Sequence, residues 1–176
     1  MAKPPAYQRT FCLWQYRWPT DALIQGFKFH ARLQLLPLFA DQLANKIQQS
    51  DPPYPTALVP VPLSNNRLRE RGFNQSWLLA KSLASLLPNR PDHIHVGRRQ
   101  QERHQTGLSA KHRMDNLKNA FYLTHSIHHN HVAIIDDVIQ TTATITALAQ
   151  LLANSGIKQI DVWAIARTPN INKGIY

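Results

Sequence analysis

The sequence predicts an α/β fold, a mostly parallel sheet flanked by helices, with a helical cap on its N-terminal side. Three observations predict it. From Thr56 to Ala166, short apolar runs alternate with stretches of helical periodicity, the order that builds a parallel sheet with helices on both faces. The run Val132-Ala-Ile-Ile135 is apolar throughout and bounded by polar sequence, as a strand buried on both faces must be. Upstream, Leu23, Ile24 and Phe27, then Leu35, Leu36, Phe39 and Leu43, recur at helical spacing and supply the cap.

Size and charge bound the rest. A chain of 176 residues makes one domain, large enough to bury a substantial core. The expected divisions are an irregular or extended lead-in over 1–18, the helical cap over 19–50, the α/β core over 54–168 and a polar tail over 169–176. No run of about 18 apolar residues is present, so no membrane span is expected, and the first residues lack the apolar stretch of a signal peptide. The single cysteine, Cys12, excludes an internal disulfide and fits a reducing cytoplasm. A formal charge of +10 favours phosphate-rich partners.

The elements follow in order. Thr20 is the expected N-cap of a first helix, in which Lys28, between Phe27 and Phe29, is either solvated or turned into a cleft. A second helix is expected over about 33–48, with Pro37 in its first turn, and Asp51-Pro-Pro-Tyr-Pro55 ends the helical part. Thr56 to Leu63 reads as a strand running into a proline-kinked loop. A basic loop holding Arg67, Arg69 and Arg71 then precedes a helix from Trp77 to Leu87, capped by Asn74 or Ser76. Ile94 to Val96 and Phe121 to Leu123 are expected as short strands, with a helix over 109–117 between them. His125, His128, His129 and His131 read as a solvated turn rather than a metal site, because no cysteine or carboxylate completes a ligand set. A helix from Ala143 ends at Asn154-Ser-Gly156, with Gly156 as the C′ residue, and Gln159 to Ala166 is the last strand.

The chemistry concentrates where the central strand ends. Asp136 and Asp137 follow Ile135, and a hydroxyl-rich turn leads into the next helix. Ligands of open α/β sheets bind at such strand ends. Turn N–H groups and a helix N-terminus suit a phosphate, and paired carboxylates accept hydrogen bonds from a ribose diol or hold a hydrated Mg²⁺. Arginine forks match phosphate oxygens, which gives Arg67 and Arg71 an anion to bind. The bland counterparts are a strand capped by polar residues and a solvated basic loop.

The segment from Asp136 to Thr144 resembles the phosphoribosyl-pyrophosphate (PRPP) motif of the type I phosphoribosyltransferases. Val59-Pro-Val-Pro-Leu63, Arg67 and Arg71-Gly-Phe-Asn-Gln75 are very similar to the signature of the ComF family, competence-linked proteins of phosphoribosyltransferase type. Leu23-Ile24, Phe27-Lys28-Phe29, Gln105, Leu108, Arg113, Asn116 and Ala120-Phe121 fall in the family's order. The resemblance implies a type I phosphoribosyltransferase fold and PRPP binding, with Mg²⁺ accompanying PRPP. Asp136 and Asp137 would hold the ribose diol, with Mg²⁺ contact open to them. Gln140, Thr141, Thr142, Ala143 and Thr144 would cradle the 5′-phosphate. Val61, Arg67 and Arg71 would face the pyrophosphate, and Arg98, Arg99 or Arg103 would close over it from a mobile flap.

The chain departs from the family pattern in several places. Members commonly carry a cysteine-rich zinc ribbon, which one cysteine cannot build, so no zinc is expected. Gln140 stands where a Thr is usual, Glu102 likewise, and Thr142 stands where a Gly is usual. If the turn needs positive φ, Thr142 carries strain of about 1–2 kcal/mol. The implied activity is displacement at C1 of PRPP by a nitrogen nucleophile. Two rival readings stay open beside it: PRPP or nucleotide binding without turnover, and single-stranded DNA binding with the DNA-uptake machinery in natural transformation.

Overall fold

The computed structural model describes residues 5–50, 52–99 and 119–169. Five strands form one wholly parallel sheet: β1 (Arg9–Gln15), β2 (Ala57–Pro60), β3 (Asp92–His93), β6 (His131–Ile139) and β7 (Gln159–Arg167), in the order β1-β7-β6-β2-β3. β4 (Val96–Arg98) and β5 (Phe121–Leu123) make a separate antiparallel ribbon.

The two central strands are apolar along almost their whole length because helices cover both faces. Successive residues point to opposite sides. Ala133, Ile135, Trp163 and Ile165 pack with α2 (Leu36–Gln48) and α4 (Gln75–Leu86), while Val132, Ile134, Val162 and Ala164 pack with α5 (Thr142–Asn154). Beyond the acidic pair the alternation reverses: Val138 joins the α2–α4 side and Ile139 the α5 side. The cap expected over 19–50 is thus continuous with the main core. Phe39, Leu43 and Ile47 of α2 share one buried cluster with Leu79 and Leu83 of α4. Only the end of α1 (Thr20–Phe29) reaches the ligand edge of the sheet.

Several expectations need correction. The lead-in contains an edge strand, because Arg9–Gln15 pairs with β7 from Asp161 to Arg167. Pro19, not Thr20, occupies the N-cap of α1 and supplies no side-chain bond. The basic loop is a helix, α3 (Asn65–Arg71): Ser64 Oγ accepts from the Arg67 N–H at 3.4 Å, and Gly72 closes it in the left-handed conformation at φ 78°. The strand expected over 94–96 is instead two short strands on either side of Ile94 and His95. The central strand continues through the acidic pair to Ile139, since β7 stays paired with it as far as Arg167. Gly156, at φ 97°, follows the end of α5 as expected. The helix expected over 109–117 and residues 170–176 lie outside the described residues.

Candidate functional site

A cleft of about 450 Å³ opens beyond the C-terminal ends of β2 and β6. Three stretches far apart in sequence converge on it. β6 supplies Asp136 and Asp137, the α3–α4 corner supplies Arg67, Arg71 and Ser76, and the end of α1 supplies Lys28 and Phe29.

Local capping explains much of this convergence. Asn74 Oδ1 accepts from the backbone N–H groups of Ser76 and Trp77, starting α4, while its Nδ2 donates to the Val61 carbonyl at 3.1 Å. One side chain therefore caps the helix and ties it to the loop after β2. Ser76, in the first turn of α4, then donates from Oγ to Asp136 Oδ1 at 3.2 Å. The Asp137 N–H donates to the same oxygen at 2.9 Å. Asp137 Oδ1 accepts from the Val138 N–H at 2.7 Å and pairs with Lys28 Nζ at 3.0 Å. Burial, and then the Asp137 charge beside it, push the Asp136 carboxyl up to about 7, against the opposing pull of the Asp137 N–H, Lys28 and Ser76.

Facing these carboxylates are three arginines. Arg71 donates from an Nη to Gln75 Oε1 at 3.2 Å and lies 4.8 Å from the Phe29 ring centre, yet its Nε is buried without a hydrogen-bond partner among the described residues. Arg98 donates to the Pro62 carbonyl at 3.3 Å. Burial, and secondarily Arg67, lower the Arg98 pKa, with Asp136 pulling the other way. Counting Lys28, four basic side chains among the described residues line the cleft against two acidic ones. The site is built to receive negative charge.

The residues singled out from sequence do not all meet. Val61, Arg67, Arg71, Arg98, Asp136, Asp137, Gln140, Thr141 and Thr144 line the cleft. Thr142 and Ala143 sit in the first turn of α5, outside its lining. Arg99 follows β4, its guanidinium 5.5 Å from the Tyr122 ring centre. Arg103 lies outside the described residues, as do Glu102, Gln105, Leu108, Arg113 and Asn116. The strain considered for Thr142 does not arise. It is the first residue of a right-handed helix, and among the described residues only Ala31 and Arg90 combine a side chain with positive φ.

Sequence reasoning left Lys28 undecided and missed Ser76, Phe29 and Tyr16, which also line the cleft. In the sequence Ser76 reads only as a cap, and nothing local marks a helix serine as the partner of an aspartate 60 residues away.

The donor set can be tested against a resident cation. Lys28 already neutralises Asp137, and one oxygen of each carboxylate is engaged by backbone or side-chain donors. Among the described residues, no group of three or more His, Cys, Asp or Glu could hold a metal ion. A Mg²⁺ on the acidic pair would have to share Asp137 with Lys28 and use the second oxygen of each carboxylate. A second depression, of about 390 Å³, is lined by His93, His95, His125, His128 and His129. The rings of the first two lie 5.2 and 4.7 Å from Trp77. No helix among the described residues is long and apolar enough to cross a membrane.

No family model matches the chain. It is 36% identical over 172 residues to DNA utilization protein YhgH of Salmonella typhi, covering 96% of this chain and 76% of that protein. It is 34% identical over 175 residues to Competence protein F of Haemophilus influenzae, covering 95% and 76%. Competence protein ComFC of Bacillus subtilis is 30% identical over 135 residues, covering 76% of this chain and 53% of its own length. Among solved structures, a hypoxanthine phosphoribosyltransferase from Staphylococcus aureus is similar at a TM-score of 0.49 and 16% identity, covering 81% of this chain and 68% of the other.

Proposed function

We propose, from the premise that this chain belongs to the ComF family, that its cleft binds PRPP and is the site of phosphoribosyl chemistry. The observation that carries this reading is the cleft's polarity. Two partly satisfied carboxylates face Arg67, Arg71 and Arg98, and Arg71 keeps a buried donor with no partner among the described residues. A buried unmatched donor is costly, and an anion entering the cleft removes that cost.

Each part of PRPP has a counterpart. The remaining lone pairs of Asp136 and Asp137 accept the two ribose hydroxyls. Gln140, Thr141 and Thr144, at the start of α5, receive the 5′-phosphate, helped by the helix N-terminus. Arg67, Arg71 and Arg98 take the pyrophosphate. Mg²⁺ enters as part of the PRPP complex and offsets pyrophosphate charge there. In transfer, a nitrogen nucleophile bonds to C1, the bond from C1 to the pyrophosphate oxygen breaks, and the nitrogen gives up its proton. The chain's contribution is positioning and charge stabilisation, which need no protein nucleophile. A reducing cytoplasm, consistent with the single Cys12, is the compartment this reading assumes.

The test is pyrophosphate release from PRPP and Mg²⁺ with a panel of nitrogenous bases, alongside calorimetric titration of PRPP. Binding with release supports an enzyme, binding without release supports a PRPP-binding protein, and absence of binding overturns the reading.

A second reading has its own support. Phe29 is 56% exposed beside Arg71, and Tyr122 is 42% exposed beside Arg99, two aromatic–arginine pairs suited to stacking on unpaired bases. With a charge of +10, these make single-stranded DNA the alternative partner, in keeping with the words "DNA utilization" in the name of a relative. DNA affinity that falls steeply with salt, unaffected by PRPP, would favour it.

A further inference from the structure

The acidic pair carries its own cation. Lys28 Nζ lies 3.0 Å from Asp137 Oδ1, with the side chains only 10% and 9% exposed. Three features hold the lysine there. It stands in the last turn of α1, where the helix dipole favours positive charge. Its neighbour Phe27 is fully buried against Phe39 and Phe73, at ring distances of 5.6 and 6.1 Å. Its own carbonyl accepts from Gln75 Nε2 at 3.5 Å, and that buried Gln75 also holds Arg71. The ammonium is therefore fixed to the same corner that aims the arginines.

We propose that Lys28 is a built-in counter-cation of the acidic pair, keeping divalent cations off Asp136 and Asp137 and leaving their remaining lone pairs to the hydroxyls of a sugar. It is a positioning residue that sets specificity. Two adjacent carboxylates would otherwise be an obvious place for a divalent ion, which needs carboxylate oxygens at about 2.0–2.6 Å. An ammonium already against one of those oxygens repels it. The hydroxyl part of the proposal rests on the PRPP reading; the exclusion of cations does not.

The experiment measures Mn²⁺ binding to the whole chain by electron paramagnetic resonance at pH 7.5, without PRPP. Wild type and Lys28→Arg bind Mn²⁺ weakly. Lys28→Met, and in parallel Lys28→Gln in case an apolar side chain disturbs folding, bind it about ten-fold more tightly or better, and adding Asp137→Asn cancels the gain. The proposal is overturned if neither uncharged variant gains Mn²⁺ affinity, or if Lys28→Arg gains as much as they do. Ribose 5-phosphate titrated in EDTA tests the other reading separately. If wild type fails to bind it while the Mn²⁺ pattern holds, the PRPP assignment falls and the counter-cation stands.

Discussion

Two sets of carboxylates lie towards opposite ends of the same pair of strands, and their surroundings could hardly differ more. Towards the N-terminal ends of β6 and β7, Asp161 is fully buried and fully matched. Arg9 donates to both of its oxygens at 3.0 and 2.8 Å, and His131 Nε2 lies 3.2 Å from one of them. Burial alone would raise its pKa, but His131 and Arg9 outweigh it and hold the carboxyl below its usual range. Towards the C-terminal ends, Asp136 and Asp137 stand side by side with Lys28 paired to Asp137, and Asp136 is pushed up to about 7. The first arrangement spends its charges on the fold by pinning the edge strand β1. The second leaves charge unsatisfied, as a binding site must before its ligand arrives.

Breaking the matched end has the largest expected effect. Asp161→Asn removes the carboxylate that Arg9 and His131 both bond and costs about 3 kcal/mol. That is the lower end for a buried pair, because the Arg9 side chain is 31% exposed. Thermal unfolding at pH 7 should fall by roughly 6–12 °C for a chain of this size. A depressed carboxylate stabilises above its unfolded pKa and loses that contribution as pH falls through its folded pKa. The gap between wild type and Asp161→Asn should therefore close in acid.

The next effect belongs to the ligand end. Arg71→Ala should weaken PRPP binding by about 1.5–3 kcal/mol, whereas Lys158→Ala, exposed just before the N-terminal end of β7, should change it by less than roughly 0.5. Calorimetry on both variants decides. Equal losses would return Arg71 to a solvated basic helix.

The smallest effect sharpens the contrast most, because its sign is opposite to that at Asp161. Asp136 has its pKa raised from 3.8, so the folded state holds more protons than the unfolded one, and stability falls as pH climbs from about 4 to 7. Asp136→Asn removes that penalty while keeping an acceptor for Ser76 and the Asp137 N–H. Ligand-free Asp136→Asn should melt a few degrees above wild type at pH 7 and level with it near pH 4. A variant less stable than wild type at pH 7 would contradict this.

How far the sequence revealed these two ends follows from where each signal lies. The acidic pair was legible because strand, carboxylates and helix start are consecutive from Val132 to Thr144, and local pattern suffices to read them. Asp161 was not legible. It sits inside an apolar strand, and its partner Arg9 is 152 residues away. The edge strand β1 escaped for the same reason, since nothing in Arg9–Gln15 names β7 as its neighbour. The helix α3 was hidden because its seven residues are polar apart from Leu68, which is itself 43% exposed, so no apolar face recurs at helical spacing. Lys28 was read as open between solvent and cleft because its flanking phenylalanines fit either; the buried Phe27, with Phe29 exposed, decides the turn of the helix.

The central claim is that Asp136 and Asp137 form a ligand site and not a second structural anchor. The direct measurement is calorimetric titration of PRPP with Mg²⁺ into wild type and the Asp136→Asn, Asp137→Asn double variant, each checked by thermal melting. Wild type should bind saturably, and a double variant that still unfolds cooperatively should not bind. Unchanged binding in the folded double variant would contradict that claim.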